Sequence, residues 1–332
     1  MKGPWGWLLA HGCRSHLMAA DPLRAQSEST HGCFRVKALS IKKMCKILVK
    51  RLEISLLILA LLGVGQPFGA PVQAVEPPPH CESNVGSPPV LKELKRGLLE
   101  GYLSKEAWPN SLTLLDPPPA PGSAAFALDQ AVAKASFPGQ GNARWDLAAR
   151  DADLNFPAAT AAFSCTLGIQ ISEAETPRLY VLLRRTLTDA GLATYKAKEH
   201  FKRLRPFLSN GQPICTPDEE EDLTTDWSYP SGHTSVGWAW ALILSEMVPN
   251  QKDQILLRGR EFGKSRNVCN VHWHSDVQAG LLTGAATVAQ LQANPVFRAD
   301  LRAAAAEIKE QQALNPNAEA LDCELEQNAL RP

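Results

Sequence analysis

An all-α fold, one helical domain preceded by a proline-rich N-terminal arm, is the architecture this 332-residue sequence predicts. Three observations point to it. From residue 125 onward, apolar residues recur at the three- and four-residue spacing of amphipathic helices, in segment after segment. The strict alternation that marks strands is essentially missing. No internal repeat or linker divides this stretch, and about 200 residues suffice to bury one core.

The elements follow in order. Residues 1–43 show no clear periodicity and read as a non-native upstream extension, with translation starting at Met44. Residues 44–74 have the form of a signal peptide. The basic side chains Lys42, Lys43, Lys46, Lys50 and Arg51 precede an apolar run over residues 54–64, which is too short to span a bilayer. Val72-Gln73-Ala74 then offers small residues at a cleavage site, which puts the mature N-terminus at Val75. Periplasmic export is therefore expected, with no integral membrane segment in the mature form. Residues 75–124 form the arm, extended through "EPPPH", "SPPV" and "DPPPAPGSAA" and interrupted by a short helix over residues 90–103. The helical domain covers residues 125–313, with helices expected over 125–135, 143–153, 157–167, 176–205, 234–248, 253–271, 274–291 and 294–313. Residues 314–332 are a C-terminal tail.

Charge and cysteines narrow the function. From Val75 the chain holds 24 Lys and Arg against 31 Asp and Glu, a formal charge of about −7 that argues against nucleic acid as a partner. Export makes disulfides an expectation among Cys81, Cys165, Cys215, Cys269 and Cys323, although spacing alone leaves their pairing open. No C-x-x-C pair argues for zinc.

Three blocks carry chemistry. In "SYPSGHTSVGWAWALILSEMV", Pro230 and Gly232 make a turn, Ser231 is placed to cap, and the free backbone N–H groups of the next helix form an anion cradle beside His233. In "KSRNVCNVHWHSDV", a helix would make His272 and Asp276 an i, i+4 pair, so that the carboxylate takes the ring Nδ1–H and leaves Nε2 as a nucleophile. His274 points elsewhere on that helix. In "KEHFKRLRPF", Lys198 and Arg205 lie two turns apart, sharing the face of a helix that Pro206 ends, and Arg266 stands six residues before His272. Cations, turn amides and two histidines together suit a tetrahedral oxyanion and attack upon it. Other features read as structural. Trp238, Trp240 and Trp273 suit core or pocket wall and residues 218–222 a solvated loop, while Lys198, Lys202, Arg203 and Arg205 taken as a charge run also fit a solvated basic face. His200 is left between the pocket and water.

Lys198-x6-Arg205-Pro206, Pro230-Ser231-Gly232-His233 and Ser265-Arg266-x5-His272-x3-Asp276 together reproduce the three-part signature of the type 2 phosphatidic acid phosphatase (PAP2) superfamily, and the flanking sequence over most of residues 109–311 resembles the bacterial class A non-specific acid phosphatases. That resemblance implies an all-helical fold and a metal-independent acid phosphatase acting on small phosphate monoesters. It also implies His272 as a phosphohistidine-forming nucleophile, Asp276 as its orienter and His233 as the acid that protonates the leaving alcohol. Lys198, Arg205, Arg266 and the Ser231–Gly232 turn would hold the phosphoryl oxygens, with no cofactor, and a phosphotransferase side activity is compatible with such an intermediate. The same positions serve vanadium haloperoxidases, whose resemblance to this chain stops at the motifs. A metal-dependent phosphohydrolase would instead use His272, His274 and Asp276 as ligands on a strand, which the flanking "QAGLLTGAATVAQL" disfavours. The leaving-group pocket is not legible, and a homo-oligomer is left open.

Overall fold

The computed structural model describes residues 91–94, 98–137, 139–315 and 321–331. The upstream extension, the signal peptide and Cys81 lie outside the described residues. Among those described there is no β-strand, only an isolated antiparallel bridge between Glu93 and Leu99.

Thirteen α-helices run through the described residues: α1 (Ser111–Leu114), α2 (Ala124–Ser136), α3 (Ala143–Arg150), α4 (Ala161–Leu167), α5 (Pro177–Leu192), α6 (Tyr195–Phe201), α7 (Pro206–Asn210), α8 (Glu220–Thr225), α9 (Gly232–Met247), α10 (Lys252–Val268), α11 (His274–Gln292), α12 (Pro295–Leu314) and α13 (Glu324–Ala329). The apolar α9 is the central rod, packed against α10, α11 and α5, while α12 closes over α5. Its side chains Val236, Trp240, Ile243 and Leu244 are buried in one core with Leu179, Leu183, Phe262, Phe297 and Leu301. Trp240 serves that core, its indole N–H donating to the Leu183 carbonyl at 3.1 Å.

Two glycines bring α11 against α9. A Cβ at Gly280 would lie 2.7 Å from the Ser231 carbonyl oxygen, and one at Gly284 would lie 2.5 Å from that of Ser235. These glycines share a face of α11 four residues apart, so the backbones meet where a larger side chain would wedge them open. The Pro-Ser-Gly-His turn is thereby held beside the start of α11, and Ser231 N–H donates to the Asp276 carbonyl at 3.0 Å.

Three expectations fail for identifiable reasons. Of residues 90–103, the described ones, 91–94 and 98–103, are not helical. Their backbone groups are taken by α5, with Tyr102 and Leu103 N–H donating to the Asp189 carboxylate, Thr188 Oγ1 to the Leu99 carbonyl and the Arg185 guanidinium to the carbonyls of Glu100 and Gly101. The helix expected over 176–205 is instead α5 and α6, and α6 ends because Lys202 turns left-handed at φ 48°. Nor does α10 continue into residues 269–271, because Asn270 adopts φ 60° and its side chain is held by Asn210 and Gln212.

Two disulfides cross-link the described residues, Cys165–Cys323 and, inside a second small core, Cys215–Cys269. The first tethers α13, so part of the expected tail is a helix packed on α3. Among the described residues, no helix is long and apolar enough to cross a membrane.

Candidate active site

The three blocks converge on one cavity of about 200 Å³. Lys198, Arg205, His233 and His272 line it together with the apolar side chains Leu98, Leu154, Leu187, Leu192, Leu223 and Val236. Each polar residue arrives by a different local device.

His272 is not on a helix. It sits two residues before α11, in a turn where Val271 and His272 N–H both donate to the Arg266 carbonyl at 3.2 Å and Asn267 Nδ2 donates to the His272 carbonyl at 2.9 Å. The expected pairing with Asp276 survives in another form. Asp276 is the third residue of α11, its Oδ2 accepts the Trp273 N–H at 2.7 Å as a helix cap, and the same oxygen lies 3.4 Å from His272 Nδ1. On the other side of the ring, Arg205 Nη1 lies 3.1 Å from Nε2. A guanidinium has no acceptor, so it donates to Nε2 and the ring proton resides on Nδ1, facing the carboxylate. The basic lone pair is therefore Nε2, among cations.

Arg205 does not share a helix face with Lys198. It is the residue before α7, and its guanidinium is fixed by the carbonyls of Leu223, Asp226 and Val271 at 3.0, 2.8 and 3.0 Å. Lys198, in the last turn of α6, hydrogen-bonds the Trp227 carbonyl and the Asp226 carboxylate, the latter at 3.0 Å. Asp226 Oδ2 also accepts from Arg205 Nη2 at 2.6 Å, so one carboxylate at the cavity edge bridges both cations. Burial pushes the Lys198 ammonium down to about 8, with Arg205 adding repulsion.

Arg266 is fully buried near the end of α10, and its Nε and Nη2 have no hydrogen-bond partner. Burial lowers this guanidinium to about 10, and Arg205 pushes in the same direction. An arginine left with orphaned buried donors is costly unless an anion is meant to complete it. Ser231 caps α9, its Oγ accepting from Thr234 N–H at 3.3 Å and from Thr234 Oγ1 at 2.9 Å. His233 stands in the first turn of α9 with Nε2 2.8 Å from the Ala152 carbonyl, so Nε2 carries the proton and Nδ1 is its free nitrogen. Both histidines are held well below the ordinary imidazole value by burial first, then by Arg266 for His233 and by Arg205 for His272.

Sequence reasoning missed three residues here. Asp226 gave no signal, and Asp129 lies in α2, far from any block. Arg203, read as part of a solvated face, has a side chain only 9% exposed and is salt-bridged to both Asp129 and Asp276. Conversely, His200 is exposed, stacked edge-on against Phe201, and does not line the cavity. Trp273 is buried as expected, with its indole N–H donating to the Leu204 carbonyl at 2.9 Å. Residues 218–222 are short helical turns at the surface rather than a loop. His274 opens α11, so the strand on which His272, His274 and Asp276 would share a metal is not formed; among the described residues no three His, Cys, Asp or Glu side chains are arranged to hold a metal ion.

Comparison with known proteins agrees with the geometry. A family model described as the PAP2 superfamily matches residues 179–294, which span α5 to α11 and contain Lys198, Arg205, His233, Arg266, His272 and Asp276. The chain is 43% identical over 204 residues to a non-specific acid phosphatase of Providencia stuartii, covering 61% of this chain and 82% of that one. An acid phosphatase of Zymomonas mobilis is 38% identical over 66% of this chain and 83% of its own length. A non-specific acid phosphatase of Salmonella typhimurium is 37% identical over 64% and 85% respectively.

Proposed function

The chain belongs to the PAP2 superfamily as a class A non-specific acid phosphatase, and from that premise we propose that it hydrolyses phosphate monoesters in two steps through a phosphohistidine on His272. The observation that carries this reading is an unprotonated His272 Nε2 that accepts only from a cation, Arg205, within the field of Arg266, whose buried Nε and Nη2 have no hydrogen-bond partner.

In the first step Nε2 attacks phosphorus in line, an N–P bond forms and the P–O bond to the leaving alcohol breaks. His233 gives that oxygen its proton. In the second step His233 takes a proton from water, the hydroxide oxygen bonds to phosphorus, and the N–P bond returns its electron pair to Nε2, releasing inorganic phosphate. Asp276 holds the ring and balances the charge that His272 acquires. Lys198, Arg205, Arg266 and the amides opening α9 neutralise the phosphoryl oxygens, which is most of what phosphoryl transfer asks of a protein. The leaving group then lies against the apolar wall of Leu98, Leu154 and Leu223. An alcohol in place of water would give phosphotransfer from the same intermediate.

Both histidine shifts place activity on the acid side. His272 stays neutral, and so nucleophilic, well into the acid range because its value is depressed. His233 carries its proton only when the medium is acid or when a phosphate dianion sits beside it, so the rate falls as pH rises. The basic and apolar leader over residues 42–64 and the two disulfides fit a periplasmic site of action.

The test is single-turnover reaction with ³²P-labelled aryl phosphate, quenched in alkaline detergent, in which an N–P bond survives. Label on the wild type and none on His272→Ala supports the reading. Label surviving in His272→Ala while His233→Ala is unlabelled would mean that the two histidines have exchanged roles.

A further inference from the structure

Behind the nucleophile lies a second layer that the three motifs do not include. Arg203 leaves the link between α6 and α7 and enters the protein, where Nη1 donates to Asp276 Oδ1 at 2.6 Å and to Ser275 Oγ at 2.7 Å. Its other arm, Nη2, donates to Asp129 Oδ2 at 2.6 Å. Asp129, on α2, is 1% exposed and accepts from Ser275 N–H and Ser275 Oγ, each at 2.7 Å. Four groups thus form a line, Asp129, Arg203, Asp276 and His272, in which charge alternates as far as the neutral imidazole. Its outer end comes from a helix that precedes the family-matched region.

We propose that Arg203 and Asp129 are positioning residues for the nucleophile. Arg203 fixes the rotation of the Asp276 carboxylate by occupying Oδ1, which leaves Oδ2 for the Trp273 N–H and the His272 ring. Asp129 fixes Arg203, and by satisfying Ser275 N–H it also anchors the first turn of α11, on which Asp276 is carried. This inference rests on His272 being the nucleophile.

An alternative is that the buried ions merely fasten α2 to the body. Two considerations favour positioning. A charge-assisted bond at 2.6 Å to one Asp276 oxygen, from a guanidinium whose plane Asp129 and Ser275 fix, sets orientation as well as proximity, whereas fastening needs only the latter. Ionisation of Asp276 also depends on the same contact: burial raises this carboxyl, and Arg203 and the Trp273 N–H oppose that rise. The groups facing Asp276 are Arg203 from the link, Asp129 from α2 and His272 from the turn before α11, with Lys198, Arg205 and Tyr229 in its field. Without Arg203 the carboxyl rises further and takes up a proton as pH falls, so His272 loses its counter-charge in the acid range where the enzyme works.

The experiment uses the full-length chain and the variants Arg203→Met, Arg203→Lys and Asp129→Asn, each first checked by circular dichroism and thermal melting. Two readouts follow: the pH profile of kcat for an aryl phosphate, and the tautomer of His272 from long-range ¹H–¹⁵N correlations of ¹⁵N-histidine-labelled protein. In Arg203→Met kcat should fall about 10–100-fold, as when the outer partner of a functional histidine is removed, with KM nearly unchanged. The acid limb should move to higher pH, and the Nδ1–H tautomer should give way to a mixture. Arg203→Lys should recover part of both, and Asp129→Asn should show the smaller version of each. If Arg203→Met does not fold, the other two variants carry the comparison. An unmoved acid limb together with an unchanged tautomer would overturn the proposal, whatever happens to kcat. A wild type without phosphoenzyme would instead overturn the two-step reading, while the tautomer of the variants still decides whether Arg203 positions His272.

Discussion

Helix α10 carries two buried arginines eight residues apart, and the contrast between them separates what holds this protein together from what it works with. Arg258 grips Asp151 with both arms at 2.5 and 3.1 Å, and its Nε donates to Glu326 at 2.9 Å. Burial pushes its pKa down, but the two carboxylates more than reverse that, and the net shift is upward. Arg266 is as deeply buried, yet two of its nitrogens are unpartnered and its net shift is downward, to about 10. Arg258 is bonded directly to its carboxylates, whereas Arg266 feels Glu219 and Asp151 only through their fields, with Arg205 opposing them and burial prevailing. The first cluster joins α3, α10 and α13 as structure. The second leaves donors unpaired, as the proposed phosphate site requires.

The contrast breaks most visibly through Arg258→Met. Removing one partner of a buried pair strands the others, at a cost of about 3–5 kcal/mol. Urea unfolding should report a loss of that size, while kcat at temperatures where the variant is folded stays close to wild type. A large fall in kcat under those conditions would join the two clusters into one functional unit.

Arg266→Gln should give the mirror image. Loss of one donor to a developing oxyanion lowers rate by about 10²–10³-fold, worth roughly 2.7–4 kcal/mol. The melting temperature should hold or rise, because an unpaired buried charge has been removed. A steep loss of stability in this variant would mean that Arg266 is paired after all.

The unpartnered donors of Arg266 and the buried Lys198 ammonium also predict protection by ligand. Phosphate or vanadate at 100 times its Kd should add about 2.7 kcal/mol to the unfolding free energy. Lys198 fixes the pH range of that effect. Its pKa is about 8 in the folded chain against the ordinary 10.5, so the unliganded protein carries the full penalty of this buried ammonium below pH 8 and sheds it as pH rises towards 10.5. Protection by phosphate, measured by melting at fixed ligand across pH, should therefore be strong in acid and fade above about pH 8. Equal protection at pH 6 and pH 10 would remove Lys198 from the site.

The two arginines also mark how far sequence reasoning reaches. Helices such as α9, α11 and α12 were legible because each buries one face, and burial of a face writes a period into the chain. The candidate site residues were legible because they come in three blocks with fixed internal offsets, and the fold brings those blocks together. Partners far along the chain were not. "KRLR" presents Arg203 and Arg205 alike, and nothing in it shows that Arg203, held by Asp129 74 residues earlier, takes Asp276 while Arg205 takes His272. The i, i+4 spacing of His272 and Asp276 suggested a helix, yet a helix cap produces the same proximity, and no pattern in the string distinguishes them. The left-handed Lys202 and Asn270, which end α6 and shape the turn before His272, carry no glycine to announce them. Which cysteines pair followed only from the fold.

The smallest expected effect, and the finest probe of the contrast, is at Asp226. This carboxylate is the counter-charge the cavity cations do have, bridging Lys198 at 3.0 Å and Arg205 at 2.6 Å from a side chain that is 39% exposed. It occupies donors that phosphoryl oxygens would use, so substrate and Asp226 compete for them. The competition is mild, since a solvated ion pair is worth at most about 1 kcal/mol. Asp226→Asn should thus lower the inhibition constant for inorganic phosphate by up to roughly fivefold, with kcat changed less. Neutral Asn retains an oxygen to receive Lys198, which keeps the cavity shape while withdrawing the charge. The opposite result, weaker phosphate binding, would mean that Asp226 holds the two cations in place rather than opposing their ligand. It would also place these cations with Arg258, among charges paired for structure, and leave Arg266 as the main donor for the anion.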